Sequence, residues 1–265
     1  STPSGYHSSQ TIIAAKNGIN VCTEKPMAIN LKDAKNMVEI CEENNVKLFV
    51  VKQNRLNKTI QDLKNKVDLN MFGTIGIVSI NVFWNRSQEY YDQDEWRGTL
   101  ELDGGALMNQ AIHYVDLLEW ILGPIKNISA FLATRVRDIE AEDTAVMSIE
   151  WINGALGTLA VTMITHPKNL EGSITIIGDK GSAKVGGIAL NKFEYAYFKE
   201  DLVQAKSDYI ISDSEKIYGY GHQLYYENIL NVFDEKSEPI CSGEDALSSI
   251  NLINNAYKAF KEKKI

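Results

Sequence analysis

Two residues in this 265-residue chain are of the right type to move a proton while holding charge on an oxygen. Lys25 lies in "NVCTEKPMA", residues 20–28, and His113 lies in "DGGALMNQAIHYVD", residues 103–116. Lys25 directly precedes a proline, which pushes it into an extended conformation and keeps it out of any helix. Lys25-Pro26 is also the kind of bond that tolerates a cis peptide, and a cis bond is expected where the chain must turn and aim the lysine inward. An ammonium so presented can bond a hydroxyl and favour its alkoxide-like state. A histidine with a near-neutral pKa is the natural base for the hydroxyl proton. Asn109 precedes His113 by four residues and Asp116 follows it by three, which on one helix puts all three on one face. The plainer readings are a solvated Glu-Lys-Pro turn and a helix-face histidine satisfied by a neighbour.

The elements that must position these residues are legible as periodicities. Residues 8–16 read as a helix stopped by Gly18, and "INVCT" as a short strand. "NLKDAKNMVEICEENN" is an amphipathic helix with Ala34, Met37, Val38 and Cys41 on one face, and "VKLFVVKQNR" is an apolar strand with a polar end. Strand–helix–strand with polar strand ends marks a parallel α/β sheet, whose ligands collect at the carboxyl ends of the strands. Glu24-Lys25 and residues 52–55 stand at such ends. Beyond Arg55 the period changes to two, at Val78, Ile80, Val82 and Trp84, at Ala145, Met147, Ile149 and Trp151, and at Leu159, Val161 and Met163. A hairpin is expected to turn at residues 179–181. Helices are expected near residues 58–68, 106–122, 223–234 and 243–262. The fold class is therefore α/β. Residues 1–55 form part of a Rossmann-type parallel sheet, and residues 56–265 an α+β domain with a large, mostly antiparallel open sheet.

Composition narrows the function. A formal net charge of −8 argues against nucleic acid as a partner, since phosphate-backbone binding needs a basic surface. No apolar run is long enough for a membrane span, and the first ten residues carry no secretory signal pattern. Cys22, Cys41 and Cys241 are read as reduced thiols of a cytoplasmic protein. His7, His113, His166 and His222 form no metal-ligand spacing with cysteine or carboxylate, and no metal is expected.

"TPSGYH" at residues 2–7, "EKPMA" at 24–28 and "DGGALMNQAIHYVDLLEWILG" at 103–123 resemble the glucose-fructose oxidoreductase, inositol dehydrogenase and rhizopine-catabolism (Gfo/Idh/MocA) family of sugar dehydrogenases. "KQNR", "FWNRSQEYYDQDEWRGT" and "HPKNLEGSITIIG" are similar to the branch that oxidises UDP-N-acetylglucosaminuronate at C3, in nucleotide-sugar and lipopolysaccharide biosynthesis. The resemblance implies NAD as cofactor, recycled by 2-oxoglutarate in that branch, while the open antiparallel sheet, with its Ser/Thr-rich outer face, invites face-to-face packing into a homodimer or homotetramer. The resemblance implies catalytic roles for Lys25, His113 and Asn109, and cofactor contacts at Thr2, Pro3, His7, Glu24, Lys25 and Gln53. Family members open with a glycine-rich strand–turn–helix, and no Gly-x-Gly-x-x-Gly follows a strand here. On that ground roughly two βαβ units, about 60–80 residues, are expected upstream, and these 265 residues alone are expected to bind NAD poorly. The choice between NAD and NADP rests on the resemblance. Where the family commonly carries an aspartate, position 109 holds an amide, which orients but cannot share a proton.

Substrate selection falls to Arg86, Tyr90, Trp96, Arg97, Lys168 and Asn169. Bidentate arginines suit a carboxylate and a diphosphate, and an aromatic suits a uracil face. Taken singly, each cation is also an ordinary surface charge. His222, in "YGYGHQLYYEN", fits a ligand contact and a helix cap equally. Another sugar or inositol dehydrogenase of the family, or a non-catalytic sugar-binding fragment, are the alternatives.

Overall fold

The computed structural model describes residues 2–187, 189–199 and 221–262. Tyr218 to Tyr220, part of the segment read around His222, lie outside them.

The first unit is small. Helix α1 (His7–Lys16) leads to strand β1 (Val21–Thr23), helix α2 (Leu31–Glu43) and strand β2 (Leu48–Val50), and the two strands pair in parallel. Asn30 caps α2 through its side chain, which accepts from the Asp33 N–H at 2.9 Å. Ala34, Met37, Val38 and Cys41 fill its buried face at helical spacing. Each strand ends on a turn that carries a site residue. After β1 the chain reaches Lys25 and a cis Lys25-Pro26 bond, and after β2 it enters a 3-10 turn over Gln53–Leu56.

Helix α3 (Lys58–Asp68) crosses to the second sheet. Its strands are β3 (Ile75–Phe83), β4 (Ile125–Ala133), β5 (Thr144–Trp151), β6 (Leu156–Thr162), β7 (Glu171–Gly178), β8 (Gly181–Gly186) and β9 (Lys192–Phe198). Their order is β4-β5-β6-β3-β7-β8-β9, with every neighbouring pair antiparallel except β3 and β6. The alternating apolar residues all face inward: Val78, Ile80, Val82, Ala145, Met147, Ile149, Leu159 and Val161 are buried. The opposite face leaves Ile77, Phe131, Val146, Leu156, Ile177 and Tyr197 exposed.

The helix expected over residues 106–122 is in two pieces. A π-helical turn (Ala106–Gln110) carries Asn109, and after a break at Ala111 helix α5 (Ile112–Leu122) carries His113. This break separates residues that the sequence places on one face. Asn109 turns to Lys25, whereas Asp116 points away into a buried cluster with Lys52 and Arg55. Between β3 and the π turn, a short helix α4 (Gln88–Tyr91) holds Tyr90. Helices α6 (Gly221–Phe233) and α7 (Gly243–Glu262) complete the molecule, and His222 is the second residue of α6. A reciprocal capping box opens α7, with Ser242 Oγ accepting from Asp245 N–H while Asp245 Oδ2 accepts from Ser242 N–H. Helix α7 packs on α2 and β2 of the first unit and on α5 and β4 of the second, so one apolar cluster runs through both. Among the described residues no helix is long and apolar enough to cross a membrane, and the three cysteines are free.

Candidate active site

The carboxyl end of β1, the turn after β2 and the start of α5 meet around a cavity of about 340 Å³. Glu24, Lys25, Gln53, Asn54, Trp84, Arg86, Asn109, Gln110, His113, Tyr114, Asn169, Ala189 and His222 line it. Lys25 and His113, 88 positions apart in the chain, thus share one wall-to-wall space.

Lys25 is anchored from α5's side. Its Nζ donates to the backbone carbonyl of Asn109 at 2.9 Å and to Asn109 Oδ1 at 3.2 Å. Burial lowers its pKa to about 8; Lys52 and Arg86 push the same way, against the carboxylates of Glu24 and Asp103. His113 is driven well below the ordinary histidine range by burial, with the cations of Lys25 and Lys52 and the ring of His222 adding to it. It is therefore neutral at physiological pH, the state a proton acceptor needs. Its Nε2 meets Gln53 Nε2 at 3.3 Å. Among the described residues, His113 Nδ1 and Gln53 Oε1 have no hydrogen-bond partner although both are buried. Unsatisfied polar atoms of this kind beside a cavity are what a polar ligand would complete.

A second hollow of about 250 Å³ is lined by Thr2, His7, Gln10, Thr11 and residues 21–24. Glu24 borders both spaces, so they adjoin there. His7 Nδ1 donates to the carbonyl of Pro26 at 2.8 Å, which ties the hollow to the lysine turn. Pro3 caps the 3-10 turn Ser4–Tyr6 and does not line the hollow. These residues and the two unsatisfied atoms suit the ribose and amide groups of a dinucleotide's nicotinamide half.

The residues assigned to substrate divide. Arg86 and Asn169 line the cavity; Tyr90, Trp96, Arg97 and Lys168 do not. Asn169 is held by the Asn85 N–H, which donates to its Oδ1 at 2.8 Å. Arg86 lies over Trp84 and Tyr90 at 5.4 and 5.5 Å from the ring centres. Arg97 covers Tyr90 at 4.5 Å and Trp96 at 4.8 Å and pairs with Asp94. Two guanidinium groups thus lie against the Tyr90 ring, that of Arg86 from the cavity wall and that of Arg97 from outside it. Lys168 is exposed.

Sequence reasoning passed over Trp84, Gln110, Tyr114 and Asn54. Trp84 had a signal, as the last inward position of the β3 alternation. Tyr114 had none: only the fold shows that Gly172 makes room for its ring, since a Cβ there would collide with the tyrosine hydroxyl. Gln110 and Asn54 carry no pattern that separates them from other turn amides. Among the described residues, no three His, Cys, Asp or Glu side chains are grouped as a metal ion would require.

Comparison with known proteins agrees with this architecture. Residues 1–52 match the model for the oxidoreductase family's NAD-binding Rossmann fold, and residues 64–265 that for its C-terminal alpha/beta domain. The chain is 46% identical to the WlbA dehydrogenase from Bordetella pertussis in complex with NADH and UDP-GlcNAcA, with a TM-score of 0.89, covering 99% of this chain and 76% of that one. For the Chromobacterium violaceum WlbA in complex with the same two ligands the values are 45%, 0.90, 99% and 74%. D-apiose dehydrogenase of Rhizobium rhizogenes is 28% identical over 96% of this chain and 73% of its own. The chain spans about half the length of several of the curated relatives it matches. With both family models matched in order along the chain and the lysine and histidine walls brought together between them, this chain belongs to the Gfo/Idh/MocA oxidoreductase family.

Proposed function

We propose that this chain supplies the substrate side and part of the cofactor side of an NAD-dependent dehydrogenase acting on the C3 hydroxyl of UDP-N-acetylglucosaminuronate. The observation that carries the proposal is the convergence of Lys25, held by Asn109, and a neutral His113 on one cavity. Bound NAD would supply the hydride acceptor. The protein's own part is to bind, orient and move a proton. Thr2, Pro3, His7, Glu24, Lys25 and Gln53 hold the nicotinamide side. His113 takes the hydroxyl proton. Lys25, still an ammonium below its pKa of about 8, bonds the same oxygen and stabilises the charge that develops there. Asn109 keeps the ammonium in place.

The choice of a nucleotide-sugar acid over a neutral sugar is supported by Arg86 in the cavity wall and by the Arg86–Tyr90–Arg97 stack beyond it. A polyol has no use for two guanidinium groups, whereas a carboxylate and a diphosphate do. The identity to two WlbA dehydrogenases held with UDP-GlcNAcA supports the same choice. On this reading, Asn169 meets the sugar, Lys168 the diphosphate at the rim, and Tyr90 or Trp96 the uracil. The proposal includes recycling of the reduced cofactor by 2-oxoglutarate, and pairing of subunits through the exposed apolar residues of the open sheet. Calorimetric titration tests the ligand class. UDP-N-acetylglucosaminuronate is expected to bind at least about tenfold more tightly than UDP or myo-inositol, and Arg86→Ala to abolish the difference. Equal affinities would reject the nucleotide-sugar acid.

A further inference from the structure

Lys25 meets Asn109, and an amide has two unlike ends. Its oxygen accepts from an ammonium; its NH2 group repels one. The arrangement seen, with Lys25 Nζ donating to Asn109 Oδ1 at 3.2 Å, requires something that dictates which end faces the lysine.

Asp103 stands on the other side of Asn109 and is 2% exposed. Its Oδ1 accepts from Asn109 Nδ2, and its Oδ2 accepts from the Gly98 N–H at 2.7 Å. The backbone around it is fixed, since the N–H groups of Asp103 and Gly104 both donate to the Thr99 carbonyl. Gly98 and Gly104 sit at φ of 73° and 82°, turns that admit few other residues. A carboxylate accepts and does not donate, so the NH2 end of Asn109 must face it and the oxygen must face Lys25.

We propose that Asp103 is a positioning residue: it locks the amide of Asn109 with its oxygen on the Lys25 ammonium, and so holds the lysine where the substrate hydroxyl arrives. The word substrate rests on the function proposed above; the positioning of Lys25 does not. The arrangement also explains how an amide stands at position 109. The negative charge is set one residue deeper, where it reaches Lys25 through the amide without touching the reacting groups.

The surrounding charges define what should change. Lys25 faces Glu24 and Asp103, which favour its ammonium, and Lys52 and Arg86, which oppose it; His113 shares its cavity. Asp103 faces Lys25 and Arg97, with Glu142 and the hydroxyls of Tyr91 and Tyr257 on its other sides. Burial raises the pKa of Asp103, and its hydrogen bonds from Gly98 and Asn109 and the two cations oppose that rise.

Asp103→Asn is the same shape with one acceptor oxygen in place of two. Its oxygen serves Gly98, its NH2 faces Asn109, and the Asn109 amide must then turn its NH2 to Lys25. Turnover is expected to fall about 10- to 100-fold with KM changed less. The titration of Lys25, followed by NMR of the ζ-15N-labelled lysine in the chain without cofactor or substrate, should move below about 8. Asn109→Asp alone sets two carboxylates against each other and should also impair the enzyme. The double variant Asp103→Asn/Asn109→Asp restores an acceptor-only group against Lys25 with an NH2 donor behind it. It is expected to recover turnover to within about threefold of the parent and to return the lysine titration. A double variant that folds with the parent's Tm but behaves like Asp103→Asn would overturn the proposal, as would an Asp103→Asn protein with unchanged lysine titration and turnover. If the titrations follow this pattern while no form oxidises the nucleotide sugar, the positioning stands and the proposed function fails.

Discussion

Arg55 grips both carboxylate oxygens of Asp116, Nε to Oδ2 and Nη2 to Oδ1, each at 2.8 Å and both side chains buried. Lys52 adds its ammonium at 3.5 Å from Asp116 Oδ1 and also donates to Ser249 Oγ on α7. The turn after β2 is thereby bolted to α5 one helical turn beyond His113, and α7 is tied to the same point. Arg55 further donates to the carbonyl of Ile240. The cluster ties together the elements around the candidate site, although none of its three charged members lines the cavity.

Breaking that cluster on one side is therefore expected to be severe. Asp116→Ala leaves two buried cations without their countercharge, and about 3–5 kcal/mol of stability should be lost. Chemical denaturation checks this through the midpoint. The hydrogen bonds and cations hold Asp116 below the ordinary aspartate value despite its burial. The sign is that of a depressed acid: its stabilisation is complete above the unfolded pKa near 3.8 and is lost as pH falls through the folded one. The parent and Asp116→Ala should converge in stability only below about pH 4.

Much of the site could be read before any coordinates, and the reasons are local. Lys25 was legible because Pro26 dictates its backbone, and His113 because a Gly-Gly pair and an apolar helix frame it. The inward residues of the sheet followed from a period of two. Asn109, His113 and Asp116 do not share one face because that reading assumes one continuous helix, whereas a π turn over Ala106–Gln110 shifts Asn109 out of phase with the two residues of α5. The role of Asp103 was not legible, because it depends on a loop fold that brings its carboxylate under Asn109. The same is true of the Arg97–Tyr90–Arg86 stack, whose members are close in sequence but whose distance from the cavity is a matter of three dimensions.

Glu142, which accepts from the Leu107 N–H in the turn that carries Asn109, gives a second pH dependence. Burial lifts its pKa to about 7, against hydrogen bonds from the Leu107 N–H and the Tyr257 hydroxyl. A raised acid binds its proton more tightly folded than unfolded, so its contribution to stability falls as pH rises from about 4.5 towards 7. Between pH 5 and pH 7.5 Glu142→Gln should gain stability relative to the parent, by on the order of 2 kcal/mol. Thermal unfolding at the two pH values checks this, and a constant difference would show that Glu142 does not titrate in that window.

The rate profile should be a bell set by two shifted groups. Its acid limb should lie below the usual histidine value of 6.5, because His113 is depressed. Its alkaline limb should lie near 8, where the Lys25 ammonium is lost. Lys25→Arg keeps the charge at all accessible pH. That variant should turn over more slowly but without the alkaline limb. An alkaline limb that persists unchanged in Lys25→Arg would assign it to another group.

The most direct measurement of the whole account is single-turnover reduction of NAD by UDP-N-acetylglucosaminuronate, with the family's glycine-rich leading segment present in the polypeptide, for the parent, Lys25→Met and His113→Ala. The parent is expected to reduce the nicotinamide with this substrate and not measurably with myo-inositol. Each variant is expected to do so at least about 100-fold more slowly, with substrate affinity changed far less. Near-normal hydride transfer in either variant, or turnover of myo-inositol at a comparable rate, would contradict it.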